Sequence, residues 1–505
     1  MSQKKCNFVP KFVQIIKHMK KLFLALMAVA AIALTGCRDK NNEPEPQPEP
    51  QPTVNIGTYL WGEDLYSLGI DGATTLAEMY AKTNIKTVYL LVKGTKGTVG
   101  FLANPTGEFK LAREDRDLLL EVTTAMHAKN IKVYAWIYCS EDAYYGETHP
   151  EECCYHFRNG TKGQLPDMNS AAFSAYLARM IQVIRSNYQV DGIMFDHLRY
   201  NGLYYGWGDK DFEAMTTDPA IGMSLDEYNE VVKLMAATYN YPIAKNDKGR
   251  YVYNLENPEI QENIPNAIFD AAAQGNKAVA KLMKYRELTV DRISIALLKE
   301  CIGTKTMYAS MPEVVTDPKF ATLSYGTTIN DTYLFDVVSP MLYSKDFGAD
   351  AAWVKKGCSF LLEHKYNCIP SLQAYGTTNS ATLAADIAAA VSTGCKDYNL
   401  FQSCAYDIAR ITGPKDNQIC IQYLRGAKNP VGSITVNVSD ASKIQNITLG
   451  GVFAGVQYTL NGNTLTIAGD NLKAIGDEGV ITFDLTEKIG IEKVESNNIV
   501  WMDKD

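Results

Sequence analysis

The sequence predicts an α/β chain built on a (β/α)8 TIM-like barrel, with a helical insertion after the fourth strand and a small β-sandwich behind it. Three observations predict it. Eight short apolar runs alternate with amphipathic stretches between Thr53 and about residue 410. No glycine-rich phosphate loop follows any of these runs, which argues against a doubly wound open sheet. After Gly413 the texture changes to alternating Thr, Val, Ile and Gly. The 505 residues, 46% apolar and 21% charged, can bury a large core and exceed one average domain.

The elements follow in order. Lys20 and Lys21 precede an uncharged, mostly apolar run from Leu22 to Leu34, the length of a signal-peptide core and short for a membrane span. Leu34-Thr35-Gly36-Cys37 is similar to a bacterial lipobox, so residues 1–36 are expected to be a lipoprotein signal peptide and Cys37 the acylated N-terminus. Met19 is a second candidate start. Residues 37–52 contain RDKNNEPEPQPEPQP, an acidic, proline-rich tether that cannot form a core. The expected location is therefore the cell envelope, outside the cytoplasm, with the membrane reached through the lipid on Cys37. Removing the leader's six lysines takes the formal charge from -8 to -14, and the body carries no basic run, which excludes a nucleic-acid footprint.

The candidate strands are Val54 to Trp61, Ile85 to Val92, Ile131 to Cys139, Gly192 to Asp196, Thr306 to Met311, Val337 to Tyr343, Asn367 to Gln373 and Tyr398 to Ser403. Between them lie helical patterns such as Arg113 to Lys129 and Ala171 to Tyr188. The largest excursion, Asn201 to Lys305, reads as helical over Ser224 to Tyr239 and Ala267 to Leu298. The barrel is expected to occupy residues 53–412 and the sandwich 429–488, with an Asn461-Gly462 hairpin turn and a ragged tail over 489–505.

Reactive groups of such barrels stand at the C-terminal ends of the strands. The fourth strand reads Val190-Asp191-Gly192-Ile193-Met194-Phe195-Asp196-His197-Leu198-Arg199-Tyr200, which turns Gly192, Met194 and Asp196 to one face. Arg199 is placed to hold Asp196 ionised. The plainer alternative is a structural Asp–Arg pair that fixes the loop.

VDGIMFDHLRY resembles the DGIxFDxxRY signature of glycosyl hydrolase-like barrel families common among bacterial lipoproteins. Leu165-Pro166-Asp167-Met168-Asn169 and Asp336-Val337-Val338-Ser339-Pro340-Met341-Leu342-Tyr343 are similar to two further motifs of those families. The resemblance spans roughly residues 54 to 410, implies a catalytic role for Asp196 and does not reach the C-terminal module. A chitinase-like DGxDxDxE pattern needs acids at Met194 and Leu198, so substrate-assisted chemistry is not expected.

Glycoside hydrolysis needs two carboxyl groups. Glu313, just past the fifth strand, is the expected partner of Asp196, with Glu63, Asp346 and Asp407 as rivals. Aromatic rings suit the faces of sugars, so the expected substrate contacts are Arg199, His197, Tyr200, Tyr204, Tyr205 and Trp207 after the fourth strand, and Tyr343, Asp346 and Gln373 near the sixth and seventh strand ends. Tyr144, Tyr145 and Tyr155 follow the third strand, whereas Trp61 and Trp136 are equally explained as core.

No cofactor and no metal site is expected. The six histidines, among them His149 and His156 in the long third loop, show no ligand pairing. Nine of the eleven cysteines lie in the body without CxxC spacing and read as buried apolar residues, although Cys153 and Cys154 are placed to join a disulfide. The sequence thus points to a lipid-anchored glycoside hydrolase acting on a glycan. The alternative is a non-catalytic glycan-binding lipoprotein on the same scaffold; a metal-dependent deacetylase lacks its His/Asp ligand set.

Overall fold

The structure, a computed structural model, describes residues 54–157 and 161–504. The signal peptide, Cys37 and the tether lie outside these residues.

Eight parallel strands form the barrel: β1 (Ile56–Leu60), β2 (Ile85–Lys93), β3 (Lys132–Tyr138), β4 (Gly192–Asp196), β5 (Lys305–Ser310), β6 (Val337–Leu342), β7 (Ser371–Gln373) and β8 (Asn399–Phe401). Each pairs with its successor and β8 pairs with β1, which closes the ring. All eight fall within the runs read from the sequence or a residue or two beyond them. Strands of a closed parallel sheet are covered on both faces, and every residue of β1 and β4 is buried.

The barrel interior is filled by large side chains, including Tyr59, Tyr89, Trp136, Met194 and Met307. Two glycines make room for them. A Cβ at Gly192 would stand 2.2 Å from the Tyr134 ring, and one at Gly57 2.6 Å from Tyr89 and 2.3 Å from Asn399. Overpacking of that kind costs about 1–3 kcal/mol, which is the physical reason for the glycine in the fourth-strand motif. The polar atoms in this interior satisfy one another: Tyr59 and Ser339 each share a hydrogen bond with Ser371 (2.6 and 2.7 Å), and Asn399 Nδ2 donates to Ser339 (3.2 Å).

The helix expected from Arg113 begins at Leu118, where the Asp117 side chain accepts from the Leu120 N–H. Arg113 and Arg116 precede it and pair with Asp115 and Glu121. The helix Ala171–Asn187 is capped by Ser170. In the insertion, the long helical pattern from Ala267 breaks at Gly275 (φ 78°), which separates Ala267–Ala273 from Lys277–Lys299. The insertion has a core of its own, with Trp207, Tyr228, Met235 and Leu282. Buried Arg286 ties it to the barrel by donating to the carbonyls of Gly202, Tyr205 and Ser324.

The β-module is larger than its sequence boundaries. Strands β9 (Tyr406–Lys415), β10 (Gln418–Leu424), β11 (Ser433–Val438), β12 (Ile444–Gly451), β13 (Tyr458–Asn461), β14 (Thr464–Ala468), β15 (Glu478–Leu485), β16 (Ile491–Glu495) and β17 (Ile499–Lys504) form two sheets, ordered β12-β15-β10-β9-β17 and β13-β14-β11-β16. The expected cut at 412 falls inside β9, and the expected tail over 489–505 supplies β16 and β17. The tail was misread because its apolar positions, Ile491, Val494, Val500 and Trp501, form runs too short for a periodicity signal, yet all four are buried.

The two units are joined closely. Asp503 accepts from the Asn84 backbone and side-chain amides (both 2.9 Å), and Trp501 Nε1 donates to Tyr398 (3.1 Å). A fragment ending at residue 412 should therefore lose cooperative thermal melting, whereas one ending at 504 should keep it; calorimetry of the two checks this.

The nine described cysteines are free thiols. Cys153 and Cys154 do not join a disulfide: both are buried, and their thiols donate to Gly146 O (3.5 Å) and Pro166 O (3.4 Å). No helix among the described residues is long and apolar enough to cross a membrane.

Candidate active site

Asp196 ends β4 at the C-terminal mouth of the barrel and is 4% exposed. Burying a carboxylate is costly unless donors replace water. Trp136 Nε1, from the neighbouring β3, donates to Oδ2 (3.1 Å), and the His197 N–H donates to Oδ1 (2.7 Å). Arg199 Nη1 stands 3.7 Å from Oδ1. The chain turns sharply at His197, which takes a left-handed conformation (φ 50°) uncommon for a residue other than glycine. That turn stacks the imidazole on Tyr138 with ring centres 4.3 Å apart.

A carboxylate that the sequence reading passed over stands next to this group. Glu141, two residues past the third strand run, has Oε1 2.9 Å from His197 Nδ1 and accepts from Asn201 Nδ2 at 2.8 Å. Burial pushes its carboxyl upward, but His197, Asn201 and Arg199 together outweigh burial and hold it below the ordinary range. The strand-end rule that singled out Asp196 applies equally to Cys139-Ser140-Glu141. The loop carrying it is anchored by Lys93, which donates to the carbonyls of Tyr138 and Glu141 and ion-pairs with Asp142 (3.2 Å), both side chains fully buried.

Glu313 shows the opposite behaviour. Burial pushes its carboxyl up, against weaker lowering by the Tyr325 hydroxyl, which donates to Oε1 at 3.4 Å, and by Arg199. Among the described residues, Glu313 Oε2 is buried without a hydrogen-bond partner. Arg199 is thus the cation common to all three acids, ion-paired with Asp196 and felt electrostatically by Glu141 and Glu313. Carboxyl groups whose environments push them in opposite directions are the arrangement that acid/base chemistry requires.

A cavity of about 790 Å³ opens beside this group over the ends of β1, β2 and β3. Tyr138 and His197 form its border with Asp196, and Trp61, Tyr66, Lys96 and Arg113 line the remainder. Trp61 is partly exposed, whereas Trp136 is wholly buried.

The other expected contacts divide. Tyr343 is buried against Phe401, ring centres 5.2 Å apart, near enough to Asp196 for the carboxylate to raise its hydroxyl. Gln373 is buried and donates to exposed Asp346 (2.8 Å), joining the loops after β6 and β7. Tyr200 and Trp207 are corrected to core residues, 1% and 2% exposed: the Arg286 guanidinium lies 3.8 Å from the Tyr200 ring centre, and Trp207 Nε1 donates to Leu203 O (2.6 Å). Tyr204 and Tyr205 are half-buried around His156. Among the rivals, Glu63 is a surface partner of Lys96, and Asp407 is buried at the root of the β-module, where it accepts from Tyr423 and Asn498. Asp167, in the turn before the helix Ala171–Asn187, is held protonated by burial and by Asp211, away from this group. No cluster of metal-ligand spacing occurs at the site among the described residues.

No protein-family model matches the chain, and no curated protein sequence does. Among solved structures, the PgaB (BpsB) glycoside hydrolase domain from Bordetella bronchiseptica is similar with a TM-score of 0.51 at 13% identity, over 69% of this chain and 93% of that one. A beta-galactosidase from the psychrophilic Marinomonas ef1 follows at TM-score 0.43 and 14% identity, over 70% of this chain and 54% of that one. A GH42 beta-galactosidase from G. stearothermophilus has a TM-score of 0.44 and 10% identity, over 69% of this chain and 51% of that one. This chain spans about half the length of either galactosidase. The likeness to the Bordetella domain is one of fold, a barrel of glycoside hydrolase type.

Proposed function

We propose that the chain is a glycoside hydrolase acting on a glycan outside the cytoplasm. The observation that carries the reading is the set of three acids around Arg199. Asp196 is fixed by two donors with both oxygens committed as acceptors, and Glu313 is biased toward its protonated form. In this reading Glu313 protonates the leaving oxygen, and ionised Asp196 serves as nucleophile or base. Glu141 orients His197 at the edge of the cavity, where Trp61 and Tyr66 offer flat faces to a sugar. The solved glycoside hydrolase with the same barrel supports the substrate class. Release of reducing sugar from a panel of glycans tests the reading; binding without release would favour the non-catalytic alternative.

The lipobox and tether support an envelope location anchored at Cys37. Mass spectrometry of the mature protein should find acyl chains on Cys37 as its N-terminal residue. An unmodified N-terminus elsewhere would remove the anchor from the proposal.

A further inference from the structure

At the opposite end of the barrel, three cysteines far apart in sequence converge. Cys358 lies on the helix Ala351–Glu363, Cys368 just before β7, and Cys395 between the helix Ser380–Val391 and β8. Their sulfur atoms all lie within 4.8 Å of one another, and the residues are 0%, 6% and 4% exposed. The sequence gives no hint of this, because the spacings of 10 and 27 residues match no familiar ligand motif.

We propose that Cys358, Cys368 and Cys395 form a structural site for one thiophilic closed-shell cation, Zn2+ or Cu+, which ties the two outer helices to the starts of β7 and β8. Three sulfurs at about 2.3 Å from one metal stand about 4 Å from one another, which the observed triangle accommodates with little movement. A disulfide would have to draw one pair to about 2.05 Å and leave the third thiol unused. Binding forms three metal–sulfur bonds and releases three thiol protons to solvent. One sulfur is prepared for this, since Cys358 and Cys368 donate toward Cys395 and hold its thiol well below the ordinary range. Thiolate donors select soft cations over Mg2+ or Ca2+. The site lies at the strand starts, away from Asp196, so its role is in stability.

The test uses the full chain, purified, reduced, loaded in separate arms with Zn2+ or Cu+, and desalted. One equivalent of metal should be retained, the melting temperature should rise, and three thiols should become unreactive. Co2+ in place of Zn2+ should give a thiolate-to-metal charge-transfer band. Cys395→Ser and Cys358→Ser should abolish retention, while Cys420→Ser, in β10, should leave it unchanged. The Co2+ band of the unsubstituted protein carries the test by itself if the serine variants fail to fold. Either of two results overturns the proposal: no retained metal with all three thiols still titrating, or a chain lighter by two hydrogens with a disulfide within the trio.

Discussion

Asp196→Asn is expected to lower turnover by about 10⁴-fold, the scale seen when a nucleophile or its equivalent is removed, while the barrel stays folded and still binds glycan. The amide has nearly the shape of the carboxylate, so the barrel mouth keeps its form. Both Asp196 oxygens accept in the native site, from Trp136 Nε1 and from the His197 N–H. The new NH2 must therefore face one of these donors. An unmet buried donor costs about 1–3 kcal/mol, so the variant should melt a few degrees lower and still melt cooperatively. Trp136→Phe is the informative companion. It removes one donor and leaves the charge, so its turnover should fall much less than that of Asp196→Asn. Kinetics of released reducing sugar, with binding measured separately by calorimetry, check both. Unimpaired turnover in Asp196→Asn would leave the Asp196–Arg199 pair a loop brace and nothing more.

The barrel was legible because its signal is repeated eight times, and each strand is a short apolar run bounded by polar residues. The β-module's limits were not, because β9 continues from β8 with only Gln402 to Ala405 between them and no composition change marks the passage. At the site, Asp196 and Arg199 could be read from spacing alone, since a strand end and the following turn fix their relative positions. Glu141 follows the same rule, yet it is distinguished only by His197 and Asn201, which arrive from the loop after a different strand. The aromatic residues after β4 looked like sugar platforms because tyrosines crowd there. The same crowding is what the insertion needs to build its own core, and Tyr200 and Trp207 went to that use. Pairwise sequence reasoning has no access to which of two competing surfaces a ring will cover.

Glu313→Gln is expected to cost about 10²–10⁴-fold in kcat for substrates with poor leaving groups, the usual contribution of a general acid, and far less for an aryl glycoside whose leaving group needs no proton. The pH profile separates this from a general loss of fold. Because burial raises the Glu313 carboxyl, it stays protonated to higher pH than an ordinary glutamic acid, and its ionisation sets the alkaline limb of kcat/KM. That limb should vanish in Glu313→Gln. Tyr325→Phe removes the hydroxyl whose donation lowers this carboxyl, so it should move the limb to higher pH and leave the acidic limb in place. Stability carries the same sign. A carboxyl raised in the folded state favours folding at low pH, and that advantage is lost as pH rises from the unfolded value of about 4.3 through the raised folded value. The melting temperature of Glu313→Gln should therefore gain on that of the native protein as pH rises through this window. An alkaline limb that survives in Glu313→Gln would move the acid role elsewhere. Glu141 would be a poor replacement while His197 and Asn201 hold it ionised, so Glu141→Gln, assayed against the same pair of substrates, should depress both equally.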